Sequence, residues 1–327
     1  MIDPFGRRIT YLRLSVTDRC NLRCTYCMPE RMRFLPRDEL LTIAELTRLS
    51  AAFIGLGVRK IRLTGGEPLV RRDIVPLIES LSRFRAAGAL DELTITTNGT
   101  RLAEHVPVLA ACGIRRINVS LDSLDPEMFA RITRGGRLEE TVHGIDTALA
   151  AGLNVKINVV ALRRDNLDAL VGIAEWAHAR GAEATFIEVM PMGEVGEDRI
   201  DQHVPMDEVR RRLERRWRLT EIPRRTGGPA SYATTDEGGT IGFIAPLTRN
   251  FCDGCNRVRV TCTGRMYLCL GQSDSADLRA PLRSGAGDEA LLDAIRAGIG
   301  RKPHGHDFVI ARNAAPAVAR TMSVTGG

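Results

Sequence analysis

From residue 9 to about 188, short runs rich in β-branched residues alternate with longer amphipathic stretches, the pattern of repeated βα units around a parallel sheet. The runs at 9–17, 58–64, 93–97, 115–121, 153–162 and 184–189 read as strands. The stretches 43–54, 73–84, 102–111, 138–151 and 167–179 carry apolar residues three or four positions apart and read as helices, with Gly88, Gly113, Gly152 and Gly181 punctuating their ends. Six strands are too few to close an eight-stranded barrel, so the expected architecture is α/β, an incomplete (β/α)6 barrel. The rhythm breaks over 193–239, where a charged helix at 206–217 gives way to a turn-rich stretch. The expected division is 1–192 for the barrel and 193–327 for a smaller C-terminal cap, with a further helix at 289–299.

In such a fold the C-terminal strand ends share one face, where the chemistry is placed. Thr64-Gly65-Gly66-Glu67 ends the second strand, Thr96-Thr97-Asn98-Gly99 the third, Ser120 and Asp122 the fourth, and Glu188 and Met190 the sixth. Singly these are ordinary turn and cap residues; together they mark a common mouth. A net charge of +6 suits an acidic small molecule at least as well as nucleic acid. Only 5% of residues are aromatic, too few for a base-stacking platform. No apolar run approaches the ~18 residues of a membrane span, and the first twenty residues are charged throughout, so a cytoplasmic protein without membrane attachment is expected.

Eight cysteines in such a chain are expected to be reduced thiols rather than disulfides. Cys20, Cys24 and Cys27 follow the first strand as CxxxCxxC. Structural zinc would need a fourth protein ligand, and the first histidine of the chain is His105. Three thiolates instead suit an iron–sulfur cube with one iron left open. This loop, with Gly65-Gly66-Glu67-Pro68 after the next strand, resembles the radical S-adenosylmethionine (SAM) superfamily. The resemblance implies that SAM chelates the open iron. Tyr26 lies between the second and third cysteines, where the superfamily has an aromatic near adenine, and glycines at 65 and 66 let the backbone approach a ligand closely.

A second group, Cys252, Cys255 and Cys269, again offers three thiolates. It reads as a second cube with an open iron, with Cys262 between the ligands taken for a small buried residue rather than a fourth thiolate. Cys112 is assigned to the core, and His304 and His306 to the fold or surface. The two groups combine with the segment from Asp3 to Arg8, TTNG, NVSLDSLD, FIEVMP, FCDGCNRVRV and the final Gly326-Gly327. Over nearly the full chain this resembles the GTP 3′,8-cyclase family of molybdenum cofactor biosynthesis. Cys262 and Thr325 depart from that family's pattern.

The resemblance implies a radical SAM partial barrel with two [4Fe–4S] clusters and SAM, acting on GTP. The reaction removes hydrogen from C3′ and joins C3′ to C8 of guanine, giving 3′,8-cyclo-7,8-dihydro-GTP. It implies SAM contacts at Tyr26, Gly66, Ser120 and Met190, and GTP contacts at Arg13, Arg62, Thr96, Lys156, Arg257, Val258 and Arg259. Arg257, Arg259, Gly326 and Gly327 carry the catalytic role, the tail reaching into the barrel to help set the arginines. An electron donor of unspecified identity, a downstream cyclic pyranopterin monophosphate synthase and a homodimer are the implied partners; nucleic acid is not. The charges agree: Arg13 and Lys156 sit inside strands between apolar neighbours, and a cation facing a barrel interior needs an anion. Two other readings fit less well. A peptide-modifying radical SAM enzyme with two auxiliary cubes would need more C-terminal cysteines. A zinc-stabilised nucleic-acid binder, suggested by the basic segment 210–216, conflicts with the dispersed charge.

Overall fold

The computed structural model describes residues 1–196, 198–285 and 287–326. Six parallel strands follow one another in both sequence and space: β1 (Tyr11–Ser15), β2 (Lys60–Thr64), β3 (Glu92–Thr97), β4 (Arg116–Ser120), β5 (Asn154–Ala161) and β6 (Glu183–Glu188). Between them run α1 (Ile43–Gly55), α2 (Ile74–Ala86), α3 (Leu102–Ala111), the pair α4 (Pro126–Thr133) and α5 (Leu138–Ala150), and α6 (Leu170–Ala179). The start of α1 is fixed by a capping box in which Thr42 and Glu45 satisfy each other's backbone amides. Helix α4 escapes the sequence reading because it is short; Asp125 caps it and Pro126 opens it.

The remainder comprises α7 (Met206–Glu214), β7 (Leu219–Ile222), β8 (Ser231–Thr235), β9 (Thr240–Ile244), β10 (Arg257–Val260), β11 (Arg265–Tyr267), β12 (Ser275–Asp277), α8 (Arg279–Arg283), α9 (Gly287–Ile299) and α10 (Met322–Thr325). Here the structure adds to the expected architecture. Strand β9 pairs parallel with β6, and β10 pairs parallel with β1, so the C-terminal region extends the barrel at both edges as well as capping it. The sheet has twelve strands in the order β12-β11-β10-β1-β2-β3-β4-β5-β6-β9-β8-β7, with antiparallel hairpins at its ends. Both added parallel strands are short, and β10 reads RVRV, a pattern that local propensity does not separate from an exposed basic stretch.

Alternation along the strands sorts the side chains. Leu12, Leu14, Ile61, Leu63, Ile95, Ile117, Val119, Ile157 and Val159 face outward into one continuous core beneath the helices. Tyr11, Arg13, Arg62, Thr64, Thr96, Asn118, Ser120, Lys156 and Asn158 face the lumen. The sheet curls far enough for Lys60 of β2 to donate to the carbonyl of Thr226, between β7 and β8, at 2.7 Å. Among the described residues no helix is long and apolar enough to cross a membrane.

Candidate active site

The lumen is a cavity of about 240 Å³ lined by all six cysteines of the two groups. Strand direction places the groups at opposite ends. Cys20, Cys24 and Cys27 follow the C-terminal end of β1, whereas Cys252 and Cys255 precede β10, which runs parallel to β1. Cys269 joins them because β11 returns antiparallel to β10. Among the described residues no three His, Cys, Asp or Glu side chains converge on a single-ion site.

The first loop is tied down on three sides. The amides of Arg23 and Thr25 donate to the carbonyls of Thr133 and Ile132 at the end of α4, both at 2.9 Å. Arg134, in the left-handed region at φ 54°, donates to the carbonyls of Arg23 and Met28. The Gly66 amide donates to Thr17 and that of Glu67 to Arg19, each at 2.8 Å. A methyl group on Gly66 would lie 2.4 Å from the Arg19 carbonyl oxygen, so this contact between backbones requires glycine. The Glu67 carboxylate then accepts from the amides of Leu69 and Asn98 and the hydroxyl of Thr97, joining the loops after β2 and β3. Burial pushes its pKa up to about 7 against those three bonds.

Around this end lie the four positions expected to meet SAM: Tyr26, Gly66, Ser120 and Met190 all line the cavity. The Tyr26 hydroxyl donates to Asp122 at 2.7 Å, which orients the ring. Burial pushes the Cys20 thiol up to about 11, against the nearby Arg23 guanidinium, and the Cys27 thiol up to about 12. Glu188 at the end of β6 lines the cavity too, and its carboxylate accepts from the amides of Met206, Leu247 and Thr248, fastening the cap to the barrel.

The opposite end is electropositive. Burial would push the Cys255 thiol up, but Arg257, Lys302 and Arg259, with the Arg257 backbone, bring it down to about 7. The Arg7 guanidinium donates to the carbonyls of Cys252, Pro303 and His304, and Arg320 to those of Cys269, Leu270 and Gln272. These two braces have no sequence signal beyond being arginines. His306, assigned from sequence to the fold or surface, lines this end beside Phe308, their rings 4.3 Å apart. Cys262 is buried near Asp18 and Arg71 and does not line the cavity, and Cys112 packs against the core.

Between the ends the barrel has two walls. On one, Arg259, Arg13 and Arg62 lie side by side in register across β10, β1 and β2, with Arg257, Tyr11 and Lys60 in the next row. Burial, then the neighbouring Arg257 guanidinium, lower the pKa of Arg259. The Nε atoms of Arg62, Arg257 and Arg259 are buried and lack hydrogen-bond partners among the described residues. The other wall is largely uncharged apart from Lys156, and there the side-chain oxygens of Thr96, Asn118, Asn158 and Thr185 are likewise buried and unpartnered among the described residues. The arginine N–H groups call for anionic acceptors and the amide oxygens for donors, so the two walls together match a ligand carrying anionic oxygens and hydroxyl or N–H groups.

Three expected positions need correction or restriction. Val258 pairs with Leu12 and turns its side chain into the core, on the face of β10 opposite Arg257 and Arg259, so it cannot touch a lumen ligand through that side chain. Lys156 does line the lumen, but its ammonium already donates to the Tyr232 hydroxyl and lies 3.7 Å from Glu183. Gly327 lies outside the described residues. Gly326 is within them, at φ 74°, where a methyl group would meet the Thr64 side chain at 2.2 Å. The tail thus enters at the first-triplet end, where the Ser323 amide donates to Cys27 and Met322 lines the cavity.

The sequence carries the same reading into known proteins. Residues 14–177 match the Radical SAM superfamily and 182–308 the family described as Molybdenum Cofactor Synthesis C. A protein of Rhizobium meliloti (strain 1021) named GTP 3′,8-cyclase is 60% identical over 329 aligned positions, covering 100% of this chain and 94% of its own. One of the same name from Mesorhizobium japonicum is 58% identical, covering 100% and 99%. Among solved structures, Streptococcus suis SuiB bound to precursor peptide SuiA superposes with a TM-score of 0.64 at 15% identity, over 92% of this chain and 72% of that one, a likeness of fold alone. Matched along its whole length to relatives of that name, the chain belongs to the GTP 3′,8-cyclase family within the radical SAM superfamily.

Proposed function

We propose that this chain performs the first step of molybdenum cofactor biosynthesis inside the lumen, cyclising GTP to 3′,8-cyclo-7,8-dihydro-GTP between the two cysteine triplets. The observation that carries this reading is one cavity with three thiols at each end and a wall of buried arginines between them. Cys20, Cys24 and Cys27 would hold the [4Fe–4S] cluster of the superfamily, and Cys252, Cys255 and Cys269 would hold a second one at the end of the lumen that receives the guanine. When bound, the first cluster and SAM supply the one-electron chemistry that removes a hydrogen atom.

The protein's own part is orientation and exclusion of water. Tyr26, Gly66, Ser120 and Met190 seat SAM at one end. Arg13, Arg62, Arg257 and Arg259 hold the triphosphate, Thr96 and Lys156 complete the substrate site, and bidentate guanidinium contacts fix where the ribose lies. Gly326 sits at the first-triplet end, and with Gly327 it forms the tail that helps to set the arginines near the substrate. Residues 1–192 carry the SAM site and 193–327 the second cluster. The partners in this reading are an external one-electron donor, a cyclic pyranopterin monophosphate synthase that takes the product, and a second copy of the chain in a homodimer.

The test is anaerobic incubation of reconstituted protein with GTP, SAM and a reductant, following 5′-deoxyadenosine and cyclised nucleotide together. Replacing Cys20, Cys24 or Cys27 stops both. Replacing Cys252, Cys255 or Cys269 halves the bound iron and abolishes cyclisation. Native protein that loads zinc instead of iron, or that makes neither product, rejects the proposal.

A further inference from the structure

We propose that the Tyr11 hydroxyl is a binding group for the substrate's phosphate chain, a neutral donor set among the lumen's cations. This rests on the placement of GTP given above. Tyr11 opens β1 on the same face as Arg13, is 2% exposed and lines the cavity. In register it lies between Arg257 of β10 and Lys60 of β2. The Lys60 ammonium stands 5.0 Å and the Arg62 guanidinium 5.7 Å from its ring centroid. Its hydroxyl is buried and has no hydrogen-bond partner among the described residues.

An unpaired buried hydroxyl is costly, and folded proteins rarely leave one. Arg257 and Lys60, beside Tyr11 in register, and Arg13 and Arg62 in the next row are all cationic donors that cannot accept the phenolic proton. What the hydroxyl lacks is therefore an acceptor, and what suits the Arg62 and Arg257 Nε–H groups, unpartnered among the described residues, is an anion. A phosphate oxygen is both. Burial raises the phenol's pKa, yet Arg62, Arg13, Lys60 and Arg257 together bring it below the ordinary tyrosine value, and a more acidic phenol donates more strongly to an anionic oxygen. A tyrosine kept only for its ring would serve equally well as phenylalanine, since the cation–π contacts need no hydroxyl.

Tyr11→Phe separates the two roles. Holoenzyme with both clusters reconstituted is titrated anaerobically by calorimetry with GTP, inorganic tripolyphosphate and guanosine. We expect GTP and tripolyphosphate to bind about tenfold more weakly, the loss of one charge-assisted hydrogen bond, with guanosine unchanged. KM for GTP rises in step, while the thermal midpoint of the ligand-free protein holds or rises, because an unsatisfied hydroxyl has been removed. Unchanged tripolyphosphate affinity, or an equal loss for guanosine, overturns the assignment. Arg62→Gln distinguishes the underlying reading: if it weakens tripolyphosphate and Tyr11→Phe does not, only the Tyr11 role fails. If neither variant does, the placement of the phosphates fails, and this inference with it.

Discussion

Replacing Gly66 by alanine isolates the contact that locks the first cysteine loop to the loop after β2. The added methyl carbon would sit 2.4 Å from the oxygen and 2.6 Å from the carbon of the Arg19 carbonyl, and 2.7 Å from the Asp18 carbonyl oxygen. These are backbone atoms, so no rotamer change relieves them. Restoring ordinary contact at 3.4 Å requires a retreat of about 1 Å. That movement stretches the two 2.8 Å bonds joining Gly66 to Thr17 and Glu67 to Arg19. Overpacking costs about 1–3 kcal/mol and each weakened bond about 0.5–1.5 kcal/mol, against about 0.4–1 kcal/mol gained from a stiffer unfolded chain. The net expectation is a loss of about 2–5 kcal/mol, together with poor retention of the first cluster. Gly172 is the control: it is exposed within α6 and a methyl group there meets nothing within 4 Å, so Gly172→Ala should stabilise by about 1 kcal/mol. Both variants would be unfolded anaerobically in urea, with iron counted per chain. If Gly66→Ala matches Gly172→Ala in midpoint and iron content, the close-approach argument is wrong.

Deleting Gly326 and Gly327 should abolish turnover while both clusters remain by iron analysis; undiminished activity rejects the role of the tail. Val258→Ala should cost about 1–3 kcal/mol in urea unfolding and leave KM for GTP unmoved, since the side chain faces the core. Cys262→Ala should leave iron per chain unchanged, whereas Cys269→Ala lowers it, as iron and sulfide assays would show. Burial holds Glu67 near pKa 7 against an ordinary 4.5, so between those values the unfolded chain ionises first. Stability therefore falls as pH rises through that window and levels off above it, by up to about 3 kcal/mol from this group. Glu67→Gln should flatten that part of the urea-midpoint profile; an identical pH slope in both proteins refutes the assignment.

How much of the site was legible depended on whether its signal was local. Both cysteine triplets are spacing motifs and could be found without a fold. Arg13, Arg62 and Lys156 stand out as charges inside apolar strands. Tyr11 and Asn158 share their strand faces with Arg13 and Lys156, so alternation alone could have added them, but tyrosine and asparagine arouse less suspicion in a strand than a buried charge does. Arg320 and Tyr232 carry no such signal, and Arg7 shows only its local pairing with Asp3, because the contacts that matter here are to backbone carbonyls or side chains remote in sequence.

The order of the amino acids alone determined the six βα repeats, because apolar periodicity and strand length are properties of neighbouring residues. It likewise determined the two incomplete thiol sets, because ligand number is written in the cysteine spacing. That the sets face each other along one lumen was decided only by the tertiary structure. Pairing β10 parallel to β1 joins the two ends of the chain, sends Cys255 to the far end of the barrel and brings Arg259, Arg13 and Arg62 into one row. Register between strands so distant is set by which face of RVRV can be buried against the core, a choice that exists only once the rest of the sheet is in place.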